Sequence, residues 1–154
     1  AGSIRFPRPR LGEGSLDFSF SGLKTAVVHH VRQKLGIAGA IKMGHITAHT
    51  ISPAEVRDIA AAFQEAVVDI LVEKTLQAAR RFGLTQIALA GGVACNSRLR
   101  ARAQEEGEAS GISVYYPSPQ LCIDNGAMIA VVGYHRLTAS RRDGLDLNVI
   151  SRWK

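Results

Sequence analysis

Gln86-Ile87-Ala88-Leu89-Ala90-Gly91-Gly92-Val93-Ala94-Cys95-Asn96 is the stretch whose pattern decides the fold class. Its first half is an almost continuous apolar run of strand length, suited to a parallel strand buried on both faces. Gly91-Gly92 breaks the run, and Asn96 or Ser97 stands where a helix cap is wanted, with helical pattern continuing to about Ala109. Ser113-Val114-Tyr115-Tyr116 then reads as a second strand, stopped by Pro117 and Pro119. Asp124-Asn125-Gly126 opens a further helix over Ala127 to Leu137. Two strands joined by a helix should be parallel with a right-handed crossover.

Upstream, Ser52-Pro53-Ala54-Glu55 has the form of a capping box with proline at the first helical position. The apolar positions Val56, Ile59, Ala60, Phe63, Val67, Ile70 and Leu71 follow, and Gly83 is the stop. A helix over 53–82 would be about 45 Å long, which suits one crossing the back of a sheet. Leu23 to Leu35 predicts another helix, ended by Gly36, and the alternation in Leu16-Asp17-Phe18-Ser19-Phe20-Ser21 predicts a short strand. Residues 1–15, with Pro7, Pro9, Gly12 and Gly14, have the character of a connector. Residues 138–154 form a polar, irregular tail with Trp153 as its one large anchor. The order strand, helix, helix, strand, helix, strand, helix is that of an α/β layered domain. Three short strands make a thin sheet, so the sequence is expected to be part of a larger protein.

Composition narrows the classes. The chain has 154 residues, 46% hydrophobic and 21% charged, the balance of an ordinary globular domain rather than a disordered one. No 18-residue apolar run is present, and the first ten residues lack the apolar core of a secretory signal, so no membrane association is expected. The formal charge is +6, carried by 14 Arg and 5 Lys. An Arg-rich excess suits a polyanionic partner, although a merely solvated basic surface has the same composition. Cys95 and Cys122 are too few for a disulfide framework, so a reduced, cytoplasmic compartment is expected.

Candidate chemistry sits at the two strand-to-helix turns. Glycines at 91 and 92 would let backbone approach a ligand closely, and Asn96 could bond a ribose, base or phosphate or simply cap the helix. Asp124 has two readings as well: an ordinary cap, or a carboxylate offered to a metal or cation in a shared cleft. In a parallel sheet both turns open at one edge, the edge where ligands bind in open α/β folds. Arg98, Arg100 and Arg102 could track phosphates or face solvent. His45 and His49 have HxxxH spacing but lie in a glycine-rich, loop-like context. No HExxH, paired CxxC or hydrolase signature is present.

Four ordered motifs carry a resemblance. Phe6-Pro7-Arg8-Pro9, then Asp17-Phe18-Ser19-Phe20-Ser21-Gly22-Leu23-Lys24-Thr25, then Gly91-Gly92-Val93-Ala94-Cys95-Asn96 with Leu99-Arg100, then Asp124-Asn125-Gly126-Ala127-Met128-Ile129-Ala130 occur in that order. Together they resemble the C-terminal half of the tRNA N6-adenosine threonylcarbamoyltransferase family, from about residue 6 to residue 137. The resemblance implies the C-terminal portion of an actin-like ATPase (ASKHA, ribonuclease-H-like) fold, with a lobe over 16–137. It implies transfer of a threonylcarbamoyl group from threonylcarbamoyl-adenylate to the adenosine beside the anticodon of certain tRNAs. Asn96, with Gly91 and Gly92, would contact the nucleotide, and Asp124 would be a ligand of one metal, iron or zinc. The implied partners are tRNA, an N-terminal half of the same protein and, as in bacterial relatives, an inactive paralogue and a small ATPase.

The family's own HxxxH pair and its SGGHT segment belong before Phe6 and have no counterpart here, so His45 and His49 do not inherit that role. No catalytic residue is assigned, and the chain by itself is expected to be inactive. Two alternatives stand beside this one. A non-catalytic nucleotide-binding or scaffolding paralogue would share the fold but would not need both Asn96 and Asp124. A metal-dependent glycoprotein endopeptidase, the family's older label, would need a water-activating base beside a metal pair, and none is evident.

Overall fold

The computed structural model describes residues 4–8, 10–12, 14–36 and 51–146. Helix α1 (Ser21–Leu35) ends as expected at Gly36, whose left-handed φ of 63° lets its N–H reach the carbonyls of Arg32 and Gln33. The alternating stretch before it does not form a strand. It makes a single antiparallel bridge, Arg10 to Phe18, and the rings of Phe18 and Phe20 pack on each other at 5.2 Å. An alternating sequence becomes a strand only where a partner runs beside it, and among the described residues Arg10 alone bridges to it.

Helix α2 (Pro53–Arg81) opens with the full capping box. The Ser52 hydroxyl accepts from the Glu55 N–H, while the Glu55 carboxylate accepts from the Ser52 N–H. The Ser52 hydroxyl also donates to the Glu55 carboxylate, and this bond together with that from the Ser52 N–H holds the Glu55 carboxyl below its ordinary range. Gly83 closes the helix at φ 63°. This helix belongs to two cores. Its N-terminal half supplies Ile59, Ala62 and Ala66 to a cluster with Leu23 and Phe6, and its C-terminal half supplies Val68, Val72, Leu76 and Ala79 to a second. Not all of the expected apolar face is covered, because Val56 is 47% and Phe63 37% exposed.

Strand β1 (Gln86–Ala88) and strand β2 (Ser113–Tyr115) pair in parallel, in register Gln86–Ser113, Ile87–Val114 and Ala88–Tyr115. Between them lie a 3-10 turn (Gly92–Cys95) and helix α3 (Ser97–Ala109). Leu99 and Ala103 of α3 pack with Ile112, Ile87, Leu89 and Val114 against the C-terminal half of α2. Gly107 is a point of close approach between α3 and β2. A Cβ there would lie 2.6 Å from Val114 Cγ2 and 2.8 Å from the Ile112 carbonyl oxygen. The expectation that β1 is buried on both faces is not met: Gln86 and Ala88 are exposed and only Ile87 is half-buried. Two-sided burial needs elements over both faces, and here α2 and α3 cover one.

Helix α4 (Pro119–Cys122) is a single turn that the sequence pattern does not signal. Helix α5 (Gly126–Thr138) has no buried residue; Ile129, Val131, Val132, Tyr134 and Leu137 are all more than half exposed. Among the described residues no helix is long and apolar enough to cross a membrane.

The stretch before α1 lies along α2. Phe6 is buried in the first core, Arg8 forks onto Asp69 and Arg10 onto Glu73. Lys74, the one buried charged residue in the described part, donates to the Ser15 carbonyl and to Gln77. The hydrogen-bonded guanidinium of Arg10 holds the Glu73 carboxyl below its ordinary range.

Candidate functional site

Parallel pairing sends both strands out of the sheet at the same edge. The ladder extends one residue past β1, where the Leu89 N–H donates to the Tyr115 carbonyl at 2.8 Å. Beyond it the chain turns at Gly91, at φ 85° and ψ 170°. A side chain there would meet no atom, so the requirement for glycine is backbone conformation rather than space. Gly92 starts the 3-10 turn, and Asn96 caps α3. The Asn96 Oδ1 accepts from the N–H groups of Arg98 (2.9 Å) and Leu99 (3.1 Å), and its Nδ2 donates to Gln64 Oε1 of α2 at 3.2 Å. The capping role left open for Asn96 is thus realised, and one amide hydrogen of its Nδ2 is left over.

From β2 the chain passes Tyr116 and Pro117 into α4 and then into Ile123-Asp124-Asn125. The cap of α5 is Asn125, not Asp124: the Asn125 Oδ1 accepts from the Met128 N–H at 3.1 Å. The extended backbone of Asn125 sets the cap one residue later than the aspartate. Asp124 is exposed and makes no hydrogen bond or ion pair among the described residues.

Side chains tie the two turns together. The Cys95 thiol donates to the Pro119 carbonyl at 3.5 Å, and buried Cys122 donates to the Pro117 carbonyl at 3.6 Å. Arg100 Nε donates to the Ala94 carbonyl and its Nη2 to Cys122 Sγ at 3.3 Å. The same guanidinium lies 4.7 Å over the Tyr116 ring. Sequence pattern alone does not mark Gln64, Arg100 or Tyr116 as partners of these turns. Their contacts link positions 6 to 32 residues apart, and nothing local announces them.

The three arginines of α3 therefore do not form one free basic stripe. Arg98 forks onto Glu65 of α2 at 2.6 and 3.0 Å, and Arg102 pairs with Glu106 and with Asp69. The hydrogen-bonded Arg98 guanidinium holds the Glu65 carboxyl below its ordinary range. A cavity of about 650 Å³ lies between the N-terminal stretch, α2 and α3, lined by Arg8, Arg10, Lys74, Arg80 and Arg102 among others. It includes none of Gly91, Gly92, Asn96 or Asp124. Among the described residues no three His, Cys, Asp or Glu side chains converge on a metal-sized space. His45 and His49 lie outside the described residues, as does Trp153.

Comparison with known proteins points in one direction. The family model described as "TsaD: tRNA N6-adenosine threonylcarbamoyltransferase" matches residues 1–131. A protein of Syntrophotalea carbinolica with that same enzyme name is 45% identical over 148 residues, 96% of this chain and 40% of its own length. Proteins of the same name from Geobacter metallireducens and Anaeromyxobacter dehalogenans are 46% and 47% identical over 98% and 99% of this chain. The chain spans about two fifths of the length of these relatives.

Proposed function

Because the chain belongs to the tRNA N6-adenosine threonylcarbamoyltransferase family, we propose that it supplies part of the nucleotide-facing rim of such an enzyme. In this reading the fold is the C-terminal portion of an actin-like ATPase (ASKHA) architecture. The reaction joins N6 of the adenosine beside the anticodon to the threonylcarbamoyl carbonyl carbon. The bond from that carbon to the adenylate phosphate oxygen breaks, AMP departs and N6 loses a proton. The work assigned to this chain is binding and orientation, and no residue of it is proposed as the base. The proposed setting is the cytoplasm, with tRNA and residues beyond those described as partners and, as in bacterial relatives, an inactive paralogue and a small ATPase.

The observation that carries this reading is the shared edge: Gly91-Gly92-Asn96 and Asp124 both follow carboxyl ends of paired parallel strands. At such an edge exposed turn backbone and a helix N-terminus favour an anionic ligand. The free hydrogen of the Asn96 amide is the group proposed to meet the adenylate. Asp124 is proposed as one carboxylate of a metal site. The described residues do not fit a complete site, since a tightly held metal needs about three protein ligands and Asp124 stands alone. No step is therefore routed through the metal. The competing reading for Asn96 is purely architectural, and its fully engaged Oδ1 favours that.

Asn96→Asp in the full-length protein separates the two. Aspartate caps a helix as well as asparagine does, so α3 stays intact while the amide donor is lost. Calorimetric affinity for AMP should fall by about tenfold or more, the worth of a hydrogen bond to a charged group. Unchanged affinity makes Asn96 a cap and nothing else. Asp124→Asn should lower the metal bound per protein, and an unaltered stoichiometry rejects that role.

A further inference from the structure

The three arginines of α3 sit two residues apart but do different things. Arg98 and Arg102 reach carboxylates on neighbouring helical surface, Glu65, Asp69 and Glu106. Among the described residues Arg100 meets no carboxylate. Its guanidinium takes a backbone carbonyl at Ala94, inside the turn after β1, and a buried thiol at Cys122, inside the turn after β2. Its flat face rests on Tyr116, the first residue past β2. One planar group thus touches both strand-to-helix connections, two residues before Asn96 on one side and two before Asp124 on the other.

We propose that Arg100 is a positioning residue that fixes the turn carrying Asn96 relative to the turn carrying Asp124. The clamp stands on these contacts alone, and its consequence for catalysis rests on the transferase reading above. A fork with two N–H groups in one plane and a stacking face matches the three partners, whereas lysine keeps the charge but neither the fork nor the flat surface. The α4 turn also packs on the 3-10 turn, and its one side-chain hydrogen bond to it among the described residues is the weak Cys95–Pro119 contact. Loss of Arg100 therefore loosens them against each other without unseating α3, which keeps Leu99, Ala103 and the Asn96 cap.

Cys122 reports on the clamp, because it is 2% exposed and its sulfur is a partner of Arg100. The test uses full-length protein in a Cys95→Ala background, so that Cys122 is the thiol followed within this chain. Its native-state labelling by a neutral maleimide is timed in Arg100, Arg100→Ala, Arg100→Lys and Tyr116→Leu forms. Arg100→Ala and Arg100→Lys should label about tenfold faster, as expected when a local opening becomes more populated. Tyr116→Leu, which removes only the platform, should fall between. Millimolar ethylguanidinium should restore protection to Arg100→Ala, which general destabilisation would not permit. In transfer assays Arg100→Lys should lower kcat about tenfold with KM for tRNA little changed, the pattern of a displaced site rather than a lost contact.

Labelling of Arg100→Lys at the parent rate overturns the clamp. Faster labelling with parental kcat overturns the positioning role. A parent protein with no transfer activity counts against the transferase reading, and the labelling arm still decides the clamp. If Arg100→Ala does not fold, the Lys and Tyr116→Leu forms carry the same comparison.

Discussion

Gly107 shows how much one missing methyl group can matter. Glycine inside a helix costs roughly 1 kcal/mol against alanine, so the position looks open to improvement. Yet an added Cβ would press on Val114 Cγ2, which can turn, and on the Ile112 carbonyl, which belongs to the backbone and cannot. Overpacking of this kind costs about 1–3 kcal/mol, enough to cancel or exceed the helical gain. Gly107→Ala should therefore lower the urea midpoint of unfolding, and a raised midpoint would mean that α3 and β2 separate more easily than this contact implies. Asn96 teaches a related lesson. Its amide could be recognised as chemically capable from sequence, but only its partners, two N–H groups and Gln64, show how little of that capacity remains free. Asp124 and Asn125 differ by one position, and the sequence favours the aspartate as cap. The backbone at Asn125 decided otherwise, leaving the Asp124 carboxylate exposed.

At the scale of elements, the joint between α2 and α3 has an acid-sensitive part. Arg98 depresses the Glu65 carboxyl, so the folded protein binds the proton less readily than the unfolded chain does. The stabilisation from this pair is complete above the ordinary carboxylate pKa of about 4.3. It declines as pH falls below that value and is gone once pH drops through the depressed value. Glu73 with Arg10 adds the same sign at the N-terminal stretch. Glu65→Gln should flatten the acid limb of a thermal-midpoint against pH curve while changing little near neutrality, since both side chains are about one third exposed and well screened. An acid limb identical to that of the parent would remove the pair from the stability balance. Helix limits were legible at this scale because their signals are local. The Ser52 box and the left-handed glycines at 36 and 83 act within one turn of chain. The failure of 16–21 to form the expected strand was not legible, because strand formation depends on a partner that the stretch itself does not specify.

Across the whole molecule the most telling feature is uncovered apolar surface. Helix α5 buries no residue, and Val93, Leu121, Ile123 and Tyr115 are each more than half exposed around the same sheet edge. The chain also spans about two fifths of its relatives, and the proposed activity belongs to that longer architecture. With one carboxylate at the proposed metal position and no base assigned, the 154-residue chain mixed alone with threonylcarbamoyl-adenylate and tRNA should yield no modified adenosine by mass spectrometry. Detectable product would show that this portion holds a complete site.

Sequence by itself determined the four longer helices, the two paired strands, the caps at Ser52 and Asn96 and the family, because those rest on short-range hydrogen bonding, apolar spacing and ordered motifs. Tertiary structure decided which polar groups are free. It gave Arg98 to Glu65 and Arg100 to the gap between two turns, kept β1 open on one face and left Asp124 without a partner among the described residues. The reason is physical: burial and pairing are properties of groups brought together from distant positions, and neither a residue nor its neighbours in the chain can specify who arrives.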